Sequence, residues 1–264
     1  MTDLLKASRA AEQAAYAAGT HLQASRSRLA EVVVTQKAPA DVANAIEREA
    51  QALIRDVMRR HFPDHGFIAE PEAAGSEALA GDRPHWVVDP IAGSVNYLRG
   101  YPQYAVSIAL VEAGEPLLGV VYDPCRNEFF GAIRGRGAVL NGRAMRCAPH
   151  RPAADALAAT VFPRPTSGRM PVYIAEFGRV LRGFGGLRRS GSMALELAYL
   201  AAGRIDAFWA VDTSACDTAA GIILLRESGA LIEARDGLPW MQSRALTACT
   251  PALHAPLLAL LDPA

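Results

Sequence analysis

Residues 86–97 read Trp-Val-Val-Asp-Pro-Ile-Ala-Gly-Ser-Val-Asn-Tyr. An apolar strand is predicted to run up to Asp89, a Pro and a Gly follow, and the Ser94 hydroxyl comes five residues after the acid. The strand directs the Asp89 carboxylate, and Gly93 lets the backbone approach an anion closely. The pattern predicts a metal and phosphate site where a strand passes into a loop. Because Asp-Pro near Gly-Ser is also typical of an ordinary turn, this interpretation needs support from other stretches.

The same stretch resembles the central motif of the inositol monophosphatase family, Asp-Pro-[Ile/Leu]-Asp-Gly-Thr-x-Asn-[Phe/Tyr]. Ala92 departs from the motif, because the family has a metal-binding Asp at that place. The stretch therefore carries the family signature with one acid missing. The residues that fit the motif are Asp89, Pro90, Ile91, Gly93, Ser94, Asn96 and Tyr97.

Two upstream stretches resemble the same family. Residues 67–72 are similar to an apolar strand that ends in two glutamates, where Glu70 fits and Pro71 replaces the second acid. Lys37 and Glu47 lie ten residues apart, as a Lys and an Asp do in bacterial relatives, with Glu47 as a longer substitute. Both stretches add to the site that the central motif indicates.

Two downstream stretches complete the resemblance. Residues 216–221 are similar to Trp-Asp-x-Ala-Ala-Gly, with Asp217 at the acid, and residues 191–195 and 201–207 match the sequence that precedes it. The resemblance covers roughly residues 10–235. These stretches in this order are specific to the family, although each stretch alone is not. The resemblance implies a layered α-β-α-β-α sandwich of mixed α+β and α/β character.

The resemblance also implies a set of site residues. Hard cations such as Mg²⁺ prefer carboxylate and carbonyl oxygens. The implied ligands of a first Mg²⁺ are Glu70, Asp89 and the Ile91 carbonyl oxygen. The residues implied in binding phosphate are Gly93, Ser94 and Ser192, and those implied in activating the attacking water are Glu47, Ser94 and Lys37.

Each of these residues also has a simpler structural interpretation. Acids at the ends of strands and helices are often helix caps or surface groups. Lys37 is also interpretable as a solvated lysine, and Ser192 as the cap of a helix. The choice between the two interpretations depends on whether the acids meet in the folded chain.

A second Mg²⁺ site is expected to be weakened. In the family it is held by the second Asp of the central motif together with acids equivalent to Asp89 and Asp217, so Ala92 leaves two of three carboxylates. Losing a negative charge beside a divalent ion weakens its binding, and a leaving oxygen without its cation reacts more slowly.

Two further departures concern the same pocket. Pro71 removes an acid, for which Glu72 is a possible replacement. Ala210 stands where relatives have a Glu that contacts inositol hydroxyls, and Asp212 is close to it in sequence. The resemblance therefore implies phosphate binding more strongly than it implies specificity for inositol.

Composition indicates a well-buried globular protein. The 264 residues are 51% hydrophobic, and 27 basic residues balance 27 acidic ones, so the field that non-specific nucleic-acid binding needs is absent. The densest basic cluster lies at residues 179–189, a pattern more typical of a solvated face. Four scattered cysteines show no metal or disulfide spacing. No signal layout or membrane span is recognisable, and we expect a cytoplasmic protein.

Local patterns predict two helices on a largely antiparallel sheet, then alternating strands and helices. We expect an N-terminal domain over residues 1–148 with the central motif, and a C-terminal domain over 149–264 that completes the site. Helices are predicted over residues 3–29, 41–61, 192–202, 218–227 and 251–261. Strands are predicted over residues 66–69, 86–89, 105–112, 117–123, 128–133, 207–210 and 230–234, with a hairpin turn at 114–116.

The resemblance implies Mg²⁺-dependent hydrolysis of a small phosphomonoester, such as an inositol or sugar phosphate. Impaired activity or altered specificity is expected, because Ala92, Pro71 and Ala210 replace family acids. The alternative is a non-catalytic pseudophosphatase that binds a phosphate ligand or a partner protein. A homodimer is implied by resemblance, and neither a membrane nor a nucleic acid is an expected partner.

Overall fold

The first helix begins at Asp3, whose carboxylate accepts hydrogen bonds from the backbone N–H groups of Leu5 (3.0 Å) and Lys6 (3.1 Å). These bonds satisfy two donors that a helix end otherwise leaves free, as the sequence predicts. The structure, a computed structural model, describes residues 2–29, 39–70, 76–164 and 166–262.

The secondary-structure elements are as follows, in chain order. The helices are α1 (Leu4–Ala24), α2 (Pro39–His61), α3 (Ser76–Leu79), α4 (Ser94–Leu98), α5 (Met170–Gly183), α6 (Met193–Ala201), α7 (Ala215–Ser228) and α8 (His254–Leu261). The strands are β1 (Gly66–Ala69), β2 (His85–Ala92), β3 (Ala105–Glu112), β4 (Glu115–Asp123), β5 (Glu128–Ile133), β6 (Ala138–Leu140), β7 (Arg143–Met145), β8 (Leu157–Thr160), β9 (Gly186–Arg188), β10 (Ala207–Val211), β11 (Leu231–Ala234) and β12 (Ala245–Cys249).

The first sheet contains β1 to β7 in chain order. Strands β1 and β2 are parallel, and the later pairs are antiparallel. The β3–β4 hairpin turns through Ala113 (φ 48°) and Gly114 (φ 78°), and two consecutive left-handed residues are typical of a tight hairpin turn. The predicted turn at 114–116 is therefore misplaced, because Glu115 and Pro116 already belong to β4.

The second sheet has the order β11-β12-β10-β8-β9. Its central strand β10 pairs parallel to β8 and antiparallel to β12. The sequence analysis places no strand at β8 or β12, whose sequences Leu-Ala-Ala-Thr and Ala-Leu-Thr-Ala-Cys lack the alternation of a half-buried strand. Pairing with neighbours on both sides outweighs this weak local preference.

Five layers stack through the molecule. Helices α1 and α2 pack on one face of the first sheet, α6 and α7 lie between the two sheets, and α5 and α8 cover the far side of the second sheet. Strand β2 is buried throughout, with Trp86 and Val88 facing the outer helices and Val87 facing the middle layer. The predicted α-β-α-β-α sandwich is confirmed.

Several predicted boundaries need correction. Helix α1 ends at Ala24 rather than near residue 29, although residues 26–29 add another turn. Strand β2 continues three residues beyond Asp89, to Ala92. Helix α7 begins at Ala215 rather than Thr218.

The described helices offer no apolar stretch long enough to cross a lipid bilayer. The first sheet ends at Met145 and the second begins at Leu157, while the middle-layer core joins side chains from both sheets. The division into domains at residue 148 stays a prediction.

Replacing Gly119 is expected to force α7 away from β4. A Cβ at Gly119 would lie 2.5 Å from Ile223 Cγ2 and 2.8 Å from the Ala220 backbone. Since such overpacking usually costs about 1–3 kcal/mol, Gly119→Ala should lower the free energy of unfolding by that amount in urea denaturation. Gly168→Ala is the matched control, because its Cβ would meet nothing within 4 Å. Equal stability of the two variants would contradict the close packing of α7.

Candidate metal and phosphate site

Parallel pairing of β1 and β2 brings two acids to one edge of the first sheet. Ala69 pairs with Val88. Glu70 and Asp89 each follow by one residue along their strands, so they arrive side by side. The structure thus brings together two acids that lie far apart in sequence.

Asp89 is held by a bulge near the end of β2. The pairing of β2 with β3 shifts register between Asp89 and Ala92, and Asp89 Oδ1 accepts a hydrogen bond from the Ile91 N–H at 3.0 Å. Only 4% of the Asp89 surface is exposed. The predicted end of the strand is a bulge that aims the carboxylate inward.

Asp217 comes from the N-terminus of α7. It forms a capping box, in which its Oδ2 accepts hydrogen bonds from the Ser214 N–H (2.9 Å) and the Ser214 hydroxyl (2.7 Å). Its Oδ1 accepts no hydrogen bond from the described residues. The helix-cap interpretation and the metal-ligand interpretation are therefore compatible, because each uses a different oxygen.

The three acids converge closely. One carboxylate oxygen each from Glu70, Asp89 and Asp217 lie within 4.8 Å of one another. They line a cavity of about 210 Å³ together with Ala92 and Gly93. Three convergent carboxylates are a donor set that fits a hard divalent cation such as Mg²⁺.

Burial and mutual repulsion disfavour the ionised acids. Burial raises the pKa of Glu70 to about 7, with a further contribution from the Asp217 charge. The pKa of Asp89 is raised by burial and then by Glu70 and Asp217. Burial also raises the pKa of Asp217, against the lowering effect of the Ser214 hydrogen bonds. A cation among them would compensate the repulsion and replace the bound protons.

The backbone at Gly93 forms a closely packed surface beside the acids, the Gly93 floor. Its φ of 109° favours glycine, and a Cβ there would lie 2.9 Å from the Gln103 carbonyl oxygen. The neighbouring Ser94 is exposed at the start of α4. The Asn96 amide donates hydrogen bonds to the carbonyl oxygens of Gln103 (2.7 Å) and Ser190 (2.8 Å), which ties the floor to the loop before α6.

Ser192 differs from its predicted role as a helix cap. Its side chain makes no capping bond, and its hydroxyl instead donates to the Ala92 carbonyl oxygen at 2.7 Å. Ser192 is fully buried in this position. The hydroxyl therefore joins α6 to the end of β2.

The remaining predicted residues lie in different surroundings. Glu47 is half-buried on α2, burial raises its pKa, and its charge acts on Glu70 and Asp89. Ile91 is buried in β2. Lys37, Pro71 and Glu72 lie outside the described residues.

Three cavity residues were missed by the sequence analysis. The cavity is also lined by Phe162, Arg164 and Arg189. Arg189 belongs to the cluster interpreted as a solvated face, and residues 161–164 follow a strand that the sequence does not predict. Only the pairing of β8 with β10 brings this loop over the acids, so the sequence pattern offers no local signal for it.

Ala210 is buried within β10 and opposite Leu246 of β12. Asp212, two residues later, lines the cavity, but its carboxylate is bound by arginines. Neither position offers a free acid to the cavity.

The layered fold and the acids gathered at the edge of its first sheet define a class, the metal-dependent sandwiches of the α-β-α-β-α type. Within that class the chain belongs to the inositol monophosphatase family, whose model matches residues 3–263. The predicted family and fold are confirmed.

Relatives carry two kinds of name. The inositol-1-monophosphatase of Rhizobium meliloti (strain 1021) is 38% identical over 218 residues, which cover 82% of this chain and 81% of that protein. The Nus factor SuhB of Escherichia coli (strain K12) is 39% identical over 201 residues, which cover 76% and 74%. The native suhB crystal structure from Bartonella henselae aligns with a TM-score of 0.84 at 31% identity, covering 97% of this chain and 98% of that one.

Divalent cations should stabilise the protein more strongly at higher pH. The acids of the cluster hold their protons to higher pH when folded than when unfolded, so the cation-free protein loses stability as pH rises through the window from the ordinary carboxyl pKa to about 7. Mg²⁺ should therefore raise Tm more at pH 8 than at pH 5.5, measured by thermal denaturation at constant ionic strength.

Matched acid variants test this assignment. Asp217→Asn should reduce the Mg²⁺-induced rise in Tm at pH 8, whereas Glu12→Gln, at an exposed position on α1, should leave it unchanged. A rise that is the same at both pH values, or the same in Asp217→Asn as in the natural chain, would show that Mg²⁺ acts elsewhere.

Proposed function

We propose that this protein is a Mg²⁺-dependent phosphomonoesterase with reduced activity on a small phosphorylated compound. The observation that carries the proposal is the convergence of Glu70, Asp89 and Asp217 within 4.8 Å beside the Gly93 floor. When bound there, Mg²⁺ would supply positive charge to a phosphoryl oxygen. The relatives named inositol-1-monophosphatase support this reaction class.

The chain would hold the reactants with groups of different kinds. Glu70, Asp89 and the Ile91 carbonyl oxygen are the proposed cation ligands, with Asp217 contributing its Oδ1. The phosphoryl group would lie against Gly93, where the missing Cβ allows close approach of the backbone. Ser192 stays a predicted phosphate-binding residue from the resemblance, and its hydroxyl donates to the Ala92 carbonyl oxygen.

Glu47 is the proposed base. Its charge acts on Glu70 and Asp89, so it lies on the side of α2 that faces the acids. Burial raises its pKa, which strengthens it as a proton acceptor at neutral pH. Glu47 would take a proton from the attacking water, and the exposed Ser94 hydroxyl would orient that water. The role of Lys37 stays a prediction from resemblance.

The reduced activity follows from Ala92. Its methyl group lines the cavity next to the three acids, where a carboxylate would add a unit of negative charge for a second cation. Without that charge, the leaving oxygen has less electrostatic stabilisation in the transition state. The same buried methyl group favours a second candidate function, in which the chain binds a phosphate ligand or partner without turnover. Relatives named Nus factor SuhB support a partner-binding role.

The expected quaternary structure and location complete the proposal. A homodimer in the cytoplasm fits the family resemblance, and neither depends on the geometry of the acids. Sedimentation at micromolar concentration would test the dimer.

Restoring the missing acid should raise the rate. Ala92→Asp is expected to increase turnover by about a hundredfold to a thousandfold, because it returns a charge that stabilises the transition state. The measurement is phosphate release from a panel of sugar, inositol and nucleotide monophosphates with titrated Mg²⁺. Ala92→Asn, which adds the same volume without charge, is the control and should gain little.

The same assay separates the two candidate functions. Slow Mg²⁺-dependent release by the natural chain that is lost in Asp89→Asn and Glu47→Gln would support the phosphatase. Activity only in Ala92→Asp would support the non-catalytic function. No release by either chain over the whole panel would rule out the hydrolytic proposal.

A further inference from the structure

One part of the cavity wall is basic and aromatic. Two loops form it, residues 161–164 after β8 and residues 189–191 before α6, and they contribute Phe162, Arg164 and Arg189. Phe162 is 49% exposed although it is aromatic. One edge contact joins this ring to the buried Tyr173, with centroids 5.6 Å apart, and about half of Phe162 stays open to solvent beside the two arginines of the cavity wall.

Arg189 is held in place by a contact with an aromatic ring rather than by an ion pair. Its guanidinium lies over the Phe162 ring, 4.1 Å from the ring centroid. It makes no hydrogen bond and no ion pair with the residues that the structure describes. A Cβ on Gly191, whose φ is 90°, would lie 3.3 Å from Arg189 Nη1, and a Cβ on Gly93 would lie 3.4 Å from the Gly191 carbonyl oxygen, so this nitrogen lies near the residue that packs against Gly93. The guanidinium therefore presents free donors beside the proposed phosphate position.

Arg164 is anchored by one acid that it shares with a second arginine. Asp212 Oδ2 lies 3.9 Å from Arg164 Nε and 3.4 Å from its backbone nitrogen, and Asp212 Oδ1 accepts a hydrogen bond from Arg244 Nη2 at 2.6 Å. Asp212 adopts a left-handed φ of 65°, a conformation that Asp tolerates better than most non-glycine residues. Two arginines on one carboxylate leave a net positive charge, and 60% of the Arg164 side chain is exposed.

These contacts determine which kind of alcohol, released when the phosphate ester is hydrolysed, the cavity can bind. A neutral polyol needs acceptors for its hydroxyls, but Ala210 offers none and Asp212 is bound by Arg164 and Arg244. Arg189 makes no ion pair with the described residues, and Arg164 contacts its one acid partner, Asp212, at only 3.9 Å. Guanidinium groups match carboxylates and phosphates, which they bind through paired hydrogen bonds. The part of the cavity that the two arginines line is thus suited to negative charge.

We propose that Arg189 and Arg164 bind a second anionic group, a carboxylate or a phosphate, on the alcohol part of the phosphorylated substrate. This inference rests on the proposed function for the position of the phosphoryl group. It assigns the substrate class as phosphorylated acids or bisphosphates rather than neutral polyol phosphates, and it makes both arginines specificity-determining residues.

Two ligand pairs that differ in one anionic group test the inference. 2-Phosphoglycerate differs from glycerol 2-phosphate by a carboxylate, and fructose 1,6-bisphosphate differs from fructose 1-phosphate by a phosphate. Binding is measured by calorimetry with Mg²⁺ in Glu47→Gln, in which turnover is slowed, and again without divalent cation. KM values of the natural chain provide the second measurement.

In at least one pair, the member with the second anionic group should bind about tenfold or more tightly than the member with a single phosphate, as expected for charge-assisted hydrogen bonds. A preference in the first pair alone identifies the second group as a carboxylate, and a preference in the second pair alone identifies it as a phosphate. The double substitution Arg164→Gln with Arg189→Gln should reduce the preference to about twofold or less, while binding of the ligands with a single phosphate and no other anionic group changes little.

Arg188→Gln is the matched control. Arg188 precedes Arg189, its Nη1 donates to the Leu187 carbonyl oxygen, and it does not line the cavity. Arg188 and Arg189 both act on the buried Glu196 carboxylate, so the control matches the charge change of Arg189→Gln alone and its effect on that acid. It should keep the full preference.

The outcomes separate this inference from the hydrolytic proposal. An arginine-dependent binding preference without phosphate release would overturn hydrolysis and support the anion site. Phosphate release with equal binding of both members of each pair would support hydrolysis and overturn the anion site. The anion site is also overturned if no ligand binds, if the preference survives in the double variant, or if Arg188→Gln loses it equally.

Discussion

The repulsion among Glu70, Asp89 and Asp217 is the constraint on which the arrangement of the site depends. Three carboxylates within 4.8 Å, in a largely buried place, disfavour one another's ionisation. Only a rigid framework holds such groups together. Here that framework consists of a parallel strand pair, a bulge with an internal hydrogen bond and a capped helix end, each anchored in the layers of the sandwich. The acids are thus positioned by backbone geometry rather than by contacts with one another.

Helix α7 links the positions of the three acids to the packing of the protein core. Its first turn carries Asp217, and its body packs against β4 so closely that Gly119 has no room for a side chain. The packing of the middle layer therefore fixes the position of an acid relative to acids from the edge of the first sheet. The site and the core are not separable parts, because a shift of α7 would move Asp217 away from Glu70 and Asp89.

Sequence reasoning succeeds where a residue's surroundings are local. The Asp89 stretch, helices α1 and α2 and strands β2 to β5 are predictable from pattern, because the apolar spacing and turn residues lie within a few positions of each other. Helix α5 is not among the predicted helices. Sequence reasoning also fails at β8 and β12, whose small apolar residues become strands through pairing with β10. Arg164 follows β8, so its position at the cavity depends on the same long-range pairing. A single sequence shows that an arginine exists there, but not that it faces the acids.

The departures at Ala92 and Ala210 change the charge of the cavity in the same direction as the arginines that line it. Each removes a negative charge that the family resemblance implies, and the loops over the same cavity bring Arg189 and Arg164 to it. Asp212, which could have compensated for Ala210, instead holds Arg164 and Arg244 in place. If the two arginines bind an anion as proposed, the absent acids would favour the same anion, because fewer negative charges in the cavity repel it less.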